Sequence, residues 1–322
     1  MKVVARFVVS AALLAALALL VDVSGVVERL GSASAPWLAV GLAISVPQAL
    51  LLAWRWRYTA GRLGIDLPFR VALAEYYLGN FLNQVLPGGV TGDVSRAWRH
   101  ARTEVPVGAA VRAVVLERLS AQAVMTSVAA LSVAAIPALP LPARVGAPAA
   151  LVLLGVLASR VGRRSGDAPS AAGRFRADTR VALLSSDARL LQLVSAALVV
   201  GSYLAVFVVA ARAVGADAPS TALLPLVAPV LMTMLLPVTV AGWGLREGAA
   251  AALWGVAGLT PESGVAVSVT YGLMSLISTL PGAAVLIVSV TRSPDRRGRR
   301  RPAGSDASAG AGHPRETGSG SG

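Results

Sequence analysis

The run Asn80-Phe81-Leu82-Asn83-Gln84-Val85-Leu86-Pro87-Gly88-Gly89-Val90-Thr91-Gly92-Asp93-Val94-Ser95-Arg96 decides how this chain folds. It ends an apolar segment that begins near Phe69 and already carries Glu75. Such a segment is apolar enough to enter a bilayer, yet it holds two asparagines and a glutamine and stops at Pro87-Gly88-Gly89. Proline removes a backbone donor and glycine frees the chain, so a helix stops there. Irregular backbone at membrane depth is tolerated only where it is buried in protein or lines a cavity. The reading is a broken or re-entrant helix beside a polar cavity.

The rest of the chain supplies the membrane setting. Of 322 residues, 55% are hydrophobic and 14% charged, well below the share of charge in a soluble domain. The apolar runs are long, rich in Ala and Leu, and lack the alternation of a barrel strand, so the fold class is all-α. About six crossings are expected: Phe7 to Val21 (extendable to Val27), Pro36 to Trp54, Pro106 to Ile136, Val145 to Ala158, Leu190 to Val214, and Gly264 to Val290. A signal peptide at the amino terminus is disfavoured, because no small-residue cleavage site leads into a polar domain. Arg55, Arg57 and Arg62 read as cytoplasmic anchors after the second span. The membrane domain covers residues 1–291, and 292–322 read as a disordered tail, basic and then Gly/Ser-rich.

Charge sets the sidedness. Of 29 Lys and Arg, only Arg29, Arg144 and Arg212 fall outside, and Arg112, Arg118 and Arg246 lie at or within membrane depth. All the others fall on one side, which places both termini in the cytoplasm of a multi-pass plasma-membrane protein. The Arg-rich loop and tail are topology determinants that attract anionic lipid. They lack the aromatic readers that a nucleic-acid surface needs. There is no cysteine, and His100 and His313 are too far apart for a metal site, so neither metal nor cofactor is expected. No catalytic constellation appears, and an enzyme would have to rest on Asp93, Glu117 and Glu247 alone.

A self-match then emerges. Leu86-Pro87, Gly92 and Arg96 recur with identical spacing as Leu236-Pro237, Gly242 and Arg246, displaced by 150 residues. The stretch Leu223 to Gly258 is broken too, by Pro225, Pro229, Pro237 and Gly242-Trp243-Gly244. With the sidedness above, one broken element enters from the cytoplasm and its copy from outside. Two broken helices of opposite orientation point to an inverted repeat, with a substrate site between the repeats. The plainer reading is that Leu-Pro and Gly only mark loop boundaries.

The run from Asn80 to Ala97 resembles the Asn-rich Leu-Pro-Gly-x-x-Gly-Gly-Asp-x-x-Arg-Ala signature of the lysylphosphatidylglycerol synthase transmembrane, or flippase-like, family. Glu117-Arg118-Leu119 is similar to its acidic-Arg-Leu element. Pro237 to Gly248 is similar to its Pro-x-x-x-x-Gly-x-Gly-x-Arg-Glu-Gly motif. The resemblance spans Phe7 to Val290, with Thr91 where a second glycine is usual. It implies a lipid flippase-like membrane part. With about thirty residues after the last span, no aminoacyl-transfer domain is expected to follow it, so the resemblance implies translocation rather than synthesis, with a separate lipid-modifying enzyme as an expected partner.

Substrate-binding candidates follow. Arg96 and Arg246 can each grip a phosphate bidentately, one at either mouth of a shared cavity; Arg96 is equally an anchor beside Arg99 and Arg102. Asp93 and Glu247 either meet a headgroup amine or neutralise the adjacent arginine. Glu117 and Arg118 form either a gate, pairing with Arg96 or Asp93, or a snorkelling interfacial pair. Asn80, Asn83 and Gln84 line the cavity or cap the helix, while Pro87, Gly88, Gly92, Pro237, Gly242 and Gly244 shape the breaks. The expected function is translocation of a phosphate-bearing lipid, an aminoacyl-phospholipid or a polyprenyl-linked glycolipid. The alternatives are a secondary transporter of a small polar solute, or a membrane accessory or enzyme subunit acting on lipid-linked sugars.

Overall fold

The computed structural model describes residues 2–291, except 88, 90, 102–104 and 165–169. The expected tail at 292–322, Gly88 and Arg102 therefore lie outside the described residues. The helices in chain order are α1 (Lys2–Leu20), α2 (Val23–Gly31), α3 (Ala35–Arg62), α4 (Phe69–Val85), α5 (Thr91–Ala101), α6 (Val107–Ala135) and α7 (Leu141–Arg164). Then follow α8 (Ala171–Thr179), α9 (Ser186–Ala213), α10 (Ser220–Met232), α11 (Leu245–Val256), α12 (Pro261–Ser278) and α13 (Leu280–Thr291). Among the described residues the only β feature is one antiparallel bridge, between Pro87 and Val240. This is a polytopic helical bundle.

By length and apolarity, α3, α6, α9 and the α12–α13 pair can each cross a membrane. A fifth crossing exists if α1 and α2 count as one span, but they meet at a 102° bend. The expected first span, Phe7 to Val21, closes beside the end of α1 at Leu20, but its extension to Val27 fails: Asp22 accepts a hydrogen bond from the Ser24 backbone N–H and starts a new helix. The apolar part of α7 is Leu141–Leu157. At 1.5 Å per residue it measures about 26 Å, short of a bilayer core of about 30 Å. The six expected crossings thus comprise four long helices, one bent pair and one short helix.

The repeat extends beyond its motif. Shifted by 150 positions, α3 falls on α9, α4 on α10 with the 3-10 turn Thr233–Leu235, α5 on α11, and α6 on α12–α13. α3 packs on α9, α4 on α13 and α10 on α6. That exchange of partners is what a two-fold relation between the repeats produces. α3 and α9 are antiparallel: the Ser34 N–H donates to the Ala213 carbonyl (2.8 Å), Gln48 to Ser202 Oγ (2.8 Å), and Arg62 pairs with Asp187 (2.5 Å). Equivalent helices run in opposite directions, so the repeat is inverted.

Each repeat carries its own core. Leu52, Trp56, Tyr76, Ala97 and Val114 cluster in the first, and Phe207, Leu226, Trp254, Tyr271 and Met274 in the second. Lipid offers no hydrophobic drive between helices, so close van der Waals fit must hold them. Alanines accordingly fill the contacts: Ala53, Ala72, Ala110, Ala113, Ala210 and Ala250 are wholly buried. The tightest approach to backbone among the described glycines is at Gly92, where a Cβ would lie 1.8 Å from the Gly79 carbonyl oxygen. Glycine at both positions lets α5 fold back on α4, and both Thr91 and Gly92 sit in helical backbone.

Candidate functional site

The two breaks meet through a single backbone bridge. Their bridge, Pro87 to Val240, is clasped by α1: Arg6 donates to the Pro87 carbonyl (3.2 Å), and Ser10 Oγ accepts from the Val240 N–H (2.9 Å). Gly242 and Gly244 take φ of 82° and 90°, and Ala241 just before them takes 49°, alone among the described non-glycine residues in positive φ. This left-handed run turns the second repeat from α10 into α11. Pro237 sits in that turn and is exposed.

Arg96 is buried inside the first repeat. Its guanidinium meets Asp93 (3.2 Å) and Glu117 (3.3 Å) and lies over the rings of Trp56 (4.4 Å) and Tyr76 (4.9 Å). Arg246 occupies the matching place in the second repeat, paired with Glu247 (2.7 Å) and Ser268 Oγ (2.9 Å), near Trp243 and Tyr271. Glu247 also accepts from the Gly244 N–H (2.7 Å), capping α11 with a carboxylate where the helix dipole favours one. Cation–π contact and an ion pair thus hold each buried arginine.

A cavity of about 270 Å³ lies between the repeats. Asn80, Asn83, Gln84, Glu117 and Arg118 line it; Arg96, Arg246, Asp93 and Glu247 do not. The expected placement of the two arginines at its mouths is therefore not what the structure has. Each sits behind the wall instead. Arg118 is the guanidinium on the wall. Its Nε and Nη2 both donate to Asp93 Oδ1 (3.1 and 2.9 Å), and Asn83 completes the corner by accepting from the Gly92 N–H (2.7 Å).

The two walls differ in chemistry. Every charged and amide group lining the cavity comes from the first repeat, with Gln48 and Gln122 added to the expected set. The second repeat supplies Leu231, Met232, Met234, Leu235, Tyr203 and Tyr271. Its Ser278 and Thr279 hydroxyls donate to carbonyls of their own helical turns. Where the first repeat has Gln84, Glu117 and Arg118, the second has Met234, Val267 and Ser268.

Sequence reasoning passed over Gln122, although it lies four residues past Arg118 on the same helical face. It also took Arg55 for a solvated anchor. Arg55 is fully buried, donating to the Gln192 carbonyl (2.9 Å), Ser195 Oγ and Ser120 Oγ (2.7 Å), and ties α3 to α9 and α6.

A search of curated proteins finds no match. The chain does match the family described as "Lysylphosphatidylglycerol synthase TM region" over residues 3–282, a range that holds both breaks, both buried arginines and the cavity. It is a multi-pass membrane protein belonging to that family.

Proposed function

We propose that this protein translocates a phosphate-bearing lipid, such as an aminoacyl-phospholipid or polyprenyl-linked glycolipid, across the plasma membrane. The observation that carries the reading is the cavity between two inverted repeats, with its amide and guanidinium groups on one wall and methionine and leucine on the other. Inverted repeats that exchange partners are the frame of alternating access. A volume of about 270 Å³ suits a headgroup and leaves acyl chains outside in lipid. Arg118 is the proposed phosphate contact, with Asn80, Asn83 and Gln84 as neutral donors and Glu117 as the gate. Arg96 and Arg246, with Asp93 and Glu247, are proposed as the groups that position the two breaks. Both termini lie in the cytoplasm, following the arginine distribution.

The test is transfer of fluorescent phospholipids and glycolipids between leaflets of proteoliposomes. Headgroup-dependent transfer that Arg118→Ala abolishes at equal expression is the expected result. No transfer of any lipid by protein shown to be folded would defeat the reading. The second reading, transport of a small polar solute, rests on the same cavity size, and solute uptake without lipid transfer would establish it instead.

A further inference from the structure

The charges behind the cavity wall do not balance. On α3 stands Arg55; on α4, Glu75; on α5, Asp93, Arg96 and Arg99; on α6, Glu117 and Arg118. Arg99 and Glu75 form a separate pair (2.9 Å) that cancels. Arg96 lies between Asp93 and Glu117, Arg118 rests on Asp93, and Arg55 has only neutral acceptors. Among the described residues of this cluster, three guanidinium groups thus face two carboxylates. The second repeat offers nothing to correct the sum, since Arg246 and Glu247 neutralise each other and no charged residue of the second repeat lines the cavity. An uncompensated charge at this depth is costly, so the site is one counter-anion short.

Its free donors show where that anion goes. Arg118 spends Nε and Nη2 on Asp93, while Nη1 has no hydrogen bond among the described residues. Asn80 and Gln84 line the same cavity and make no side-chain hydrogen bond among the described residues; Gln122 reaches only Thr126 and a methionine sulfur. One guanidinium edge flanked by neutral amides suits the two non-bridging oxygens of a phosphodiester. Resting on the lipid-translocation reading above, we infer that the cavity selects a headgroup of net charge −1, a phosphodiester monoanion. Of the two lipids named there this keeps the glycolipid linked through a single polyprenyl phosphodiester and excludes the aminoacyl-phospholipid, whose ammonium group cancels its phosphodiester charge. A zwitterionic headgroup leaves the excess charge in place, and a dianion overshoots it. Asp93 acts as the resident anion with which the phosphodiester shares Arg118.

The experiment measures binding of soluble headgroups to the purified full-length protein in neutral detergent, by calorimetry. Glycerophosphoglycerol carries −1, glycerophosphoethanolamine is zwitterionic, and glycerol phosphate and inorganic phosphate are more highly charged. The monoanion is expected to bind at least about ten-fold tighter than the others, a difference of about 1.4 kcal/mol. Glu117→Gln and Asp93→Asn each add one positive charge to the site and shift the preference to glycerol phosphate. Arg118→Gln removes one and abolishes the preference. Equal or tighter binding of the zwitterion to the parent protein overturns the inference, whatever the variants do. So does an unchanged preference in a carboxylate variant that keeps the parent melting temperature.

Proteoliposomes then separate this from the reading on which it rests. Transfer of zwitterionic lipid as fast as monoanionic lipid overturns the charge rule and leaves translocation standing. Selective binding of the soluble monoanion without transfer of any lipid keeps the rule and makes a free phosphodiester the ligand.

Discussion

Arg96 and Arg246 show what one residue type does at two equivalent places. Both are buried against two aromatic rings, yet Arg96 draws its carboxylates from α5 and α6, whereas Arg246 takes its own from the next residue. Replacing Glu247 with alanine leaves a buried, unpaired guanidinium and uncaps α11, so a loss of about 3–5 kcal/mol is expected. Glu247→Gln keeps an acceptor for the Gly244 N–H and should lose less; thermal unfolding in detergent compares the two. Gly92→Ala places a methyl group against the Gly79 backbone, and about 1–3 kcal/mol of overpacking cost is expected from the same measurement. The equal spacing of Pro, Gly and Arg in the two copies was legible in the sequence. The pairing of Glu117 with Arg96, and of Arg118 with Asp93, was legible only as one of two readings, because Glu117 and Arg96 are 21 positions apart and only the return of α6 past α5 brings them together.

Among the elements, α1 has a part that its composition hides. It reads as an apolar span, yet its Arg6 and Ser10 side chains hold one break each. Ser10→Ala removes the acceptor of a buried N–H, at a cost of about 1–3 kcal/mol. Faster amide exchange confined to residues 236–244, with the rest of the bundle unchanged, is the expected signature; uniform loosening would argue against a local clasp. The α1–α2 bend was missed for a related reason. Hydropathy carries the chain smoothly to Val27, while the single Asp22 cap outweighs it locally.

For the whole molecule, the antiparallel α3–α9 pair makes the repeat testable in a chain with no cysteine of its own. Gln48→Cys with Ser202→Cys should cross-link readily, since the native side chains touch at 2.8 Å. Gln48→Cys with Ala188→Cys should not, being several helical turns out of register. Single cysteines at Ser34 and Arg62, at opposite ends of α3, are expected to react with an impermeant maleimide from opposite sides of the membrane. Reaction of both from one side would remove α3 from the set of crossings.

Composition and periodicity alone settled that this is a helical membrane bundle, where the helices break, and that the breaks recur. Each of those follows from the local need of backbone and side chain to be satisfied in lipid. Tertiary structure decided which polar groups face the cavity. Arg118 and Arg96 are both arginines beside acids in the sequence, but one lies on the wall and one behind it, because the 150-residue repeat packs α6 against α10 and folds α5 away. The excess positive charge is likewise a property of the assembled site, since it exists only once Arg55 of α3, taken for a surface anchor, is brought beside α6.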